Sequence, residues 1–331
     1  MEDVFYDALP MGMIAMSPTV QPGVLPPDLM RRLSKTMRLV NHQAIDRFDA
    51  LETLAPVEIL FTSWACPAIT QQVLDAAPKL RAIVHAAGSV KAHVGPEVFE
   101  RGIAVSSAAD ANAEPVARFT LAVVTLAGKR AFTYAATGQI PAFGDRRGND
   151  GRTAGVVGAS RIGRRVIAGL IDAGYEVLVT DPYLDPDTAA KLGAELTSLD
   201  DLCRRSDVIT LHAPQLPQTA QLLDERRLAL LPDGAIVINT ARGSLVDTDA
   251  LARECASGRI DACLDVTDPE PLPAGHPLFA LRNVWITPHV AGVQGSEVRR
   301  LGEFAVAEVE RFAAGQPLIG AVHADQLSLL A

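Results

Sequence analysis

The sequence predicts an α/β protein with two doubly wound parallel sheets, and three observations lead there. Its apolar runs are short and continuous rather than alternating, the pattern of strands covered on both faces. These runs take turns with stretches of helical periodicity, an order that generates parallel strands. The chain has 331 residues and is 48% hydrophobic, enough for about two domains with sizeable cores.

In the first half, Ile14–Met16, Met37–Val40, Glu58–Phe61, Ala82–Val84 and Ile103–Val105 read as strands. Pro18, Pro22, Gly23, Pro26, Pro27, Pro67, Pro96 and Gly102 punctuate them. Residues 111–138 read as one long helix, followed by a turn-rich connector containing Gly138, Pro141, Gly144, Gly148 and Gly151. The second half carries stronger runs at Val156-Val157, Val177–Val179, Val208–Leu211, Ile236–Ile238, Ala262–Leu264 and Val284–Ile286. Between them, Ile162, Val166, Ile167, Leu170 and Ile171 share one helical face. Leu251 and Cys255 do the same in a helix that Gly258 stops. A final helix, roughly 295–314, presents Val298, Leu301, Ala305, Val309 and Phe312.

Composition removes several function classes. A formal net charge of −9 argues against a nucleic-acid partner but leaves room for a small anionic substrate held by a few local arginines. Cys66, Cys203, Cys255 and Cys263 form neither a CxxC pair nor a zinc spacing, so they read as buried free thiols, and no metal is expected. The first residues are acidic where a secretory leader is basic. The greasy segment FTLAVVTLAG is much shorter than the ~20 residues of a membrane span. A cytoplasmic protein with no membrane partner is the expectation.

Residues 153–183 read as strand, glycine turn, helix, strand, acid. Glycines at Gly158 and Gly163 permit a tight turn and close packing of helix on strand, and the helix N-terminus offers N–H groups to a pyrophosphate. Ser160 stands at the middle glycine position, where its Cβ crowds the pyrophosphate or its hydroxyl donates to it. Asp181 ends the next run, suited to accept both ribose hydroxyls and to repel a 2′-phosphate; NAD rather than NADP follows. Other polar residues recur at strand ends: His212, Thr240, Arg242, Asp265 and His289. Singly, His212 also reads as a core histidine, Asp265 as a turn residue and Arg242 as a surface cation.

Arg242, Glu270 and His289 form a trio suited to one reaction. Hydride exchange between a nicotinamide and a 2-oxo acid needs a cation for the carboxylate, a proton donor for the carbonyl oxygen, and a group that favours the donor's charged form. Arginine, histidine and glutamate supply these in that order.

VVGASRIGR, DVITLHAP, INTARGSLVDTDAL, LDVTDPEPLP and TPHVAG together resemble the D-isomer-specific 2-hydroxyacid dehydrogenases, over nearly the whole chain and most strongly from 153 to 292. The resemblance implies a Rossmann cofactor domain, residues 113–292, inserted into a flavodoxin-like substrate domain made of 1–112 and 293–331. It implies that His289 exchanges the proton, Glu270 pairs with it, and Arg242 binds the carboxylate. Asp265 then orients the nicotinamide carboxamide. Gly158, Ser160, Arg161, Ile162 and Gly163 meet the pyrophosphate, Asp181 the ribose, and His212, Ala213, Thr240, Ala241 and Gly292 line the rest of the NAD groove. Gly88, Ser89 and Val90 offer backbone N–H groups to the substrate, and the long helix belongs to a homodimer interface.

Departures from the family's commoner pattern are Ser160, the loop AAGSVKAHVG, Arg118 and Thr267. Trp64 reads as a pocket wall or as core packing, and Lys91 and His93 as cleft residues or a solvated loop. Two other readings share this fold. One is a phosphite or formate dehydrogenase, with Glu270 arguing against formate because glutamine replaces it there. The other is an NAD-sensing corepressor-like protein, which can retain the trio.

Overall fold

A computed structural model describes residues 9–139, 141–145 and 147–329. The acidic first eight residues, from which the lack of a leader was read, and the last two residues lie outside them. The chain divides after Asn112 and after Gly292 into two compact units.

In the first unit, β1 (Met11–Ala15), β2 (Arg38–Leu39), β3 (Ile59–Thr62), β4 (Ala82–His85) and β5 (Ala104–Ser107) form a sheet completed by β13 (Ala321–Val322). The order is β13-β5-β4-β3-β1-β2, a flavodoxin-like arrangement with one added edge. β1 to β5 pair in parallel, and only β13 runs antiparallel, against β5. Side chains alternate between two cores, as strand geometry requires. Ile14, Phe61 and Val84 pack with Leu301, Ala305 and Val309 of the last helix, while Met13, Leu60 and Ile83 pack with Val73, Leu74 and Val98 on the opposite face. Buried Glu308 ties the C-terminal segment to this sheet by accepting from Ser106 Oγ at 2.6 Å, Ile319 N at 3.0 Å and Gly320 N at 2.9 Å.

The second unit holds β6 (Thr153–Val157), β7 (Glu176–Thr180), β8 (Glu195–Leu196), β9 (Val208–Leu211), β10 (Ile236–Asn239), β11 (Asp261–Leu264) and β12 (Val284–Ile286). Every pairing is parallel, in the order β12-β11-β10-β9-β6-β7-β8. Strand order reverses between β6 and β9, the point where doubly wound sheets bind dinucleotides beyond their carboxyl ends.

Several expectations need correction. The long helix is two: Ala109–Gly128 and Ala131–Thr137. Arg130 takes φ 53°, which no continuing helix allows, and its guanidinium is held there by two 2.9 Å bonds to Asp261. The last helix is Arg299–Ala313, preceded by a separate turn Gly295–Glu297 in which the Glu297 carboxylate accepts from Gln294 N at 3.0 Å. Ile171 is 38% exposed at the rim of the buried face rather than within it. Cys203, Cys255 and Cys263 are buried free thiols, but Cys66 is only half-buried. His93 is buried rather than on a solvated loop, and Trp64 is 39% exposed rather than core. The two-residue strands β8 and β13 are too short to leave a periodicity. Among the described residues, no helix is long and apolar enough to cross a membrane.

Candidate active site

Because the second sheet is wholly parallel, residues that follow each strand gather along one edge. Gly158 follows β6, Asp181 β7, His212 β9, Thr240 β10, Asp265 β11 and Thr287 β12. A cavity of about 470 Å³ lined by Arg147, Asp150, Arg152 and Asp207 lies elsewhere. Asp207 precedes β9 and binds Thr153 N at the start of β6, so that cavity belongs to the opposite edge.

The glycine turn is built around contacts that a side chain forbids. Gly158 has φ +97°, and a Cβ there would lie 2.8 Å from Ala213 N and from the His212 carbonyl carbon. A Cβ on Gly163 would lie 2.0 Å from Gly158 O, so the helix Arg161–Asp172 packs against the turn through bare backbone. Ser160 has a φ of −66°, which suits any residue, and its Oγ accepts from Gly163 N at 3.2 Å as the helix N-cap. The hydroxyl proton is left to donate. Arg161 is exposed and Ile162 half-buried on that first turn.

Asp181 accepts from Ala159 N at 2.7 Å and from Tyr183 N at 2.8 Å, one bond on each oxygen. The carboxylate is therefore fixed against the glycine turn, with lone pairs to spare for hydroxyl donors. His212 is buried, and burial pushes its pKa down to about 3, so the ring is neutral. Nε2 pairs with Thr210 Oγ1 at 2.9 Å, while Nδ1 is buried with no partner among the described residues. An unspent polar atom beside a turn that a Cβ would fill fits a dinucleotide at this edge. Ala213 is buried against the same turn, and the Thr240 hydroxyl meets Thr120 Oγ1 at 2.9 Å.

Arg242 stands on a loop shaped by Asn239, whose Nδ2 donates to Arg242 O at 2.8 Å and whose Oδ1 accepts from Ala241 N at 3.0 Å. Burial lowers the Arg242 pKa and the nearby Glu270 charge raises it; a guanidinium stays charged under both. Its Nη1 donates to Ala241 O at 2.6 Å. Next in chain, Gly243 lies so close to the Thr267–Asp268 backbone that a Cβ would come within 2.0 Å of the Thr267 carbonyl. That segment leads to Glu270. Thr248 Oγ1 donates to Asp268 O and Thr267 Oγ1 to Pro269 O, both at 2.9 Å, pinning the approach.

Asp265 is the clamp on the histidine loop. Its Oδ1 accepts from Thr287 Oγ1 at 2.5 Å and Val290 N at 2.8 Å, and its Oδ2 from Ala291 N at 2.9 Å. Its carbonyl accepts from His289 N at 2.9 Å. These bonds hold His289 at φ 57°, a conformation that a non-glycine residue takes only when its surroundings impose it. The half-exposed His289 ring then meets Glu270 Oε1 through Nδ1 at 2.6 Å. Gly292 closes the loop at the unit's last residue. The predicted trio thus sits on three neighbouring loops at one edge. Sequence reasoning missed Asn239 and Gly243; their signal was the same INTARG stretch, read only for Thr240, Ala241 and Arg242.

In the first unit, Gly88, Ser89 and Val90 follow β4. Their backbone N–H groups donate to no acceptor among the described residues.

Residues 130–291 match the family described as D-isomer specific 2-hydroxyacid dehydrogenase, NAD binding domain. The chain is 35% identical over 285 residues to a D-3-phosphoglycerate dehydrogenase of Mycobacterium leprae, covering 85% of this chain and 54% of that one. It is 34% identical over 248 residues to a glyoxylate reductase of Thermofilum pendens, covering 72% and 73%. It thus spans about half the length of the phosphoglycerate dehydrogenase and more of the reductase. A solved D-lactate dehydrogenase from Aquifex aeolicus, complexed with NAD and lactic acid, superposes with a TM-score of 0.71 at 27% identity over 92% of this chain and 96% of that one.

Proposed function

The chain belongs to the D-isomer-specific 2-hydroxyacid dehydrogenase family, with NAD as its cofactor, and from that premise we propose that it interconverts a small 2-oxo acid and the D-2-hydroxy acid. The observation that carries this reading is the 2.6 Å contact between His289 Nδ1 and Glu270 Oε1. It uses one ring nitrogen and leaves Nε2 for the reacting oxygen. When bound, NADH supplies the hydride that reaches the carbonyl carbon. His289 gives its Nε2 proton to the carbonyl oxygen, which becomes the hydroxyl, and takes it back in oxidation. Glu270 fixes the ring's orientation and compensates its positive charge. The Arg242 guanidinium binds the substrate carboxylate with a fork of donors. Gly88, Ser89 and Val90 are assigned as further N–H donors to the substrate.

For the cofactor, the helix that Ser160 caps takes the pyrophosphate and Asp181 the ribose hydroxyls, which makes NADH the preferred form. Asp265, whose side chain is already committed to the histidine loop, acts toward the nicotinamide as well as holding His289. We also take the enzyme to be a cytoplasmic homodimer, which light scattering on the purified protein tests for assembly. The function is tested by NADH oxidation at 340 nm against glyoxylate, hydroxypyruvate, pyruvate and phenylpyruvate, with NADPH in parallel. Turnover of at least one with NADH is expected; silence across the panel with NADH binding retained overturns it.

A further inference from the structure

Below the loop that carries Gly88, Ser89 and Val90 lie polar groups that the reaction does not use. Thr62 ends β3 and His85 ends β4, and the two are register partners in the sheet. Both are buried, and so is His93 in the following turn. Thr62 Oγ1 lies 2.9 Å from His85 Nδ1 and 3.5 Å from His93 Nε2, and the two rings are 4.5 Å apart. His85 ends the strand that enters the loop, and His93, whose N donates to Val90 O at 3.1 Å, lies where the loop ends.

The Thr62 hydroxyl has one proton, so it donates to one ring nitrogen while its oxygen accepts from the other ring. Burial lowers the pKa of His85 well below the usual value and that of His93 to about 4, so both rings are neutral near pH 7. Each neutral ring carries one N–H and one bare nitrogen, so both contacts are made at once. Thr62 thus ties the residue that enters the loop to one that leaves it, and the Gly88–Val90 peptides are held between these two ends.

We propose that the His93–Thr62–His85 relay positions the Gly88–Val90 loop, and thereby sets affinity for the substrate's anionic end. The inference rests on the assignment of that loop to the substrate. These are positioning residues: they act on the substrate only through the loop they bracket. The relay therefore acts on substrate binding and leaves the cofactor unit untouched.

Thr62→Val keeps the shape and removes the hydroxyl; Thr62→Ser keeps the hydroxyl. His93→Phe removes the outer ring's hydrogen-bonding nitrogen and serves if Thr62→Val does not fold. The readouts are KM for whichever 2-oxo acid the wild type reduces, kcat, the Kd of oxamate in the NADH-bound enzyme, and the Kd of NADH. Thr62→Val is expected to raise KM and the oxamate Kd about tenfold, the loss of roughly one buried hydrogen bond, with kcat within about threefold and NADH affinity unchanged. His93→Phe is expected to shift both the same way by less, and Thr62→Ser to restore wild-type values. An active Thr62→Val or His93→Phe enzyme with KM and oxamate Kd within about twofold of wild type overturns the relay alone. A serine variant as impaired as the valine one also overturns it, because packing then explains the effect. A wild type that neither reduces any 2-oxo acid nor binds oxamate overturns the functional reading beneath it.

Discussion

Gly243→Ala adds one methyl group at the point where the loop carrying Arg242 touches the segment leading to Glu270. The new Cβ would lie 2.0 Å from the Thr267 carbonyl carbon and oxygen and 2.6 Å from Asp268 N. Carbon atoms rest about 3.5 Å apart, so the two segments must separate by about 1.5 Å. The obstacle is backbone, so no side-chain rotation relieves it. The neighbouring segment is also tied down by the Thr248 and Thr267 hydroxyls, so movement falls on Arg242, on Glu270, or on both. A misplacement of about 1 Å in a reacting constellation costs on the order of a hundredfold in rate. Overpacking of this kind costs about 1–3 kcal/mol of stability. The assay is steady-state NADH oxidation with the best 2-oxo acid, beside an NADH fluorescence titration and a thermal melt. kcat/KM should fall about a hundredfold, NADH affinity should hold, and the melt should drop by a few degrees. Wild-type turnover in Gly243→Ala would refute the claim that this contact spaces the arginine from the carboxylate.

Other outcomes follow from single contacts. His289→Gln and Arg242→Ala should each lower turnover by at least about a thousandfold while NADH still binds, as stopped-flow and titration would record. Asp181→Ala should raise KM for NADH and narrow the gap to NADPH; a wild type that prefers NADPH would contradict the role of that carboxylate. Buried histidines make the fold acid-sensitive. The His212 ring titrates near 6.5 when unfolded and about 3 when folded, so its contribution is fully present above pH 6.5 and is lost as pH falls toward 3. The same sign holds for His93, whose folded value of about 4 corresponds to a loss on the order of 3 kcal/mol. Denaturation midpoints should therefore fall between pH 6.5 and 4, and less steeply in His212→Asn; equal slopes would rule the ring out.

Much of this was legible in the sequence because the sheets are parallel. A strand buried on both faces announces itself as a continuous apolar run, and its carboxyl end is where polar residues have no packing reason to recur. His212, Thr240, Arg242, Asp265 and His289 were found that way, and Gly158 and Asp181 by the strand, glycine turn, helix, strand and acid in succession. What stayed hidden depends on tertiary contact. Nothing local marks Arg130 as left-handed; the guanidinium is drawn to Asp261, distant in sequence. Ser160 looked like a departure from a glycine rule, yet its backbone angle never required glycine and its side chain caps the helix. Gly243 reads as an ordinary turn residue until the Thr267 backbone is seen against it. His93 reads as a loop residue, and only its 3.5 Å approach to Thr62, the register partner of His85, shows that it is buried there.

The central claim is that His289, oriented by Glu270, delivers a proton while NADH reduces a 2-oxo acid on one face. The most direct test incubates the enzyme with NADH and pyruvate or hydroxypyruvate, then resolves the product on a chiral column against the NADH consumed. The account predicts one D-2-hydroxy acid formed per NADH oxidised, and neither consumed nor formed with His289→Gln. Formation of the L isomer, or undiminished product from the variant, would contradict it.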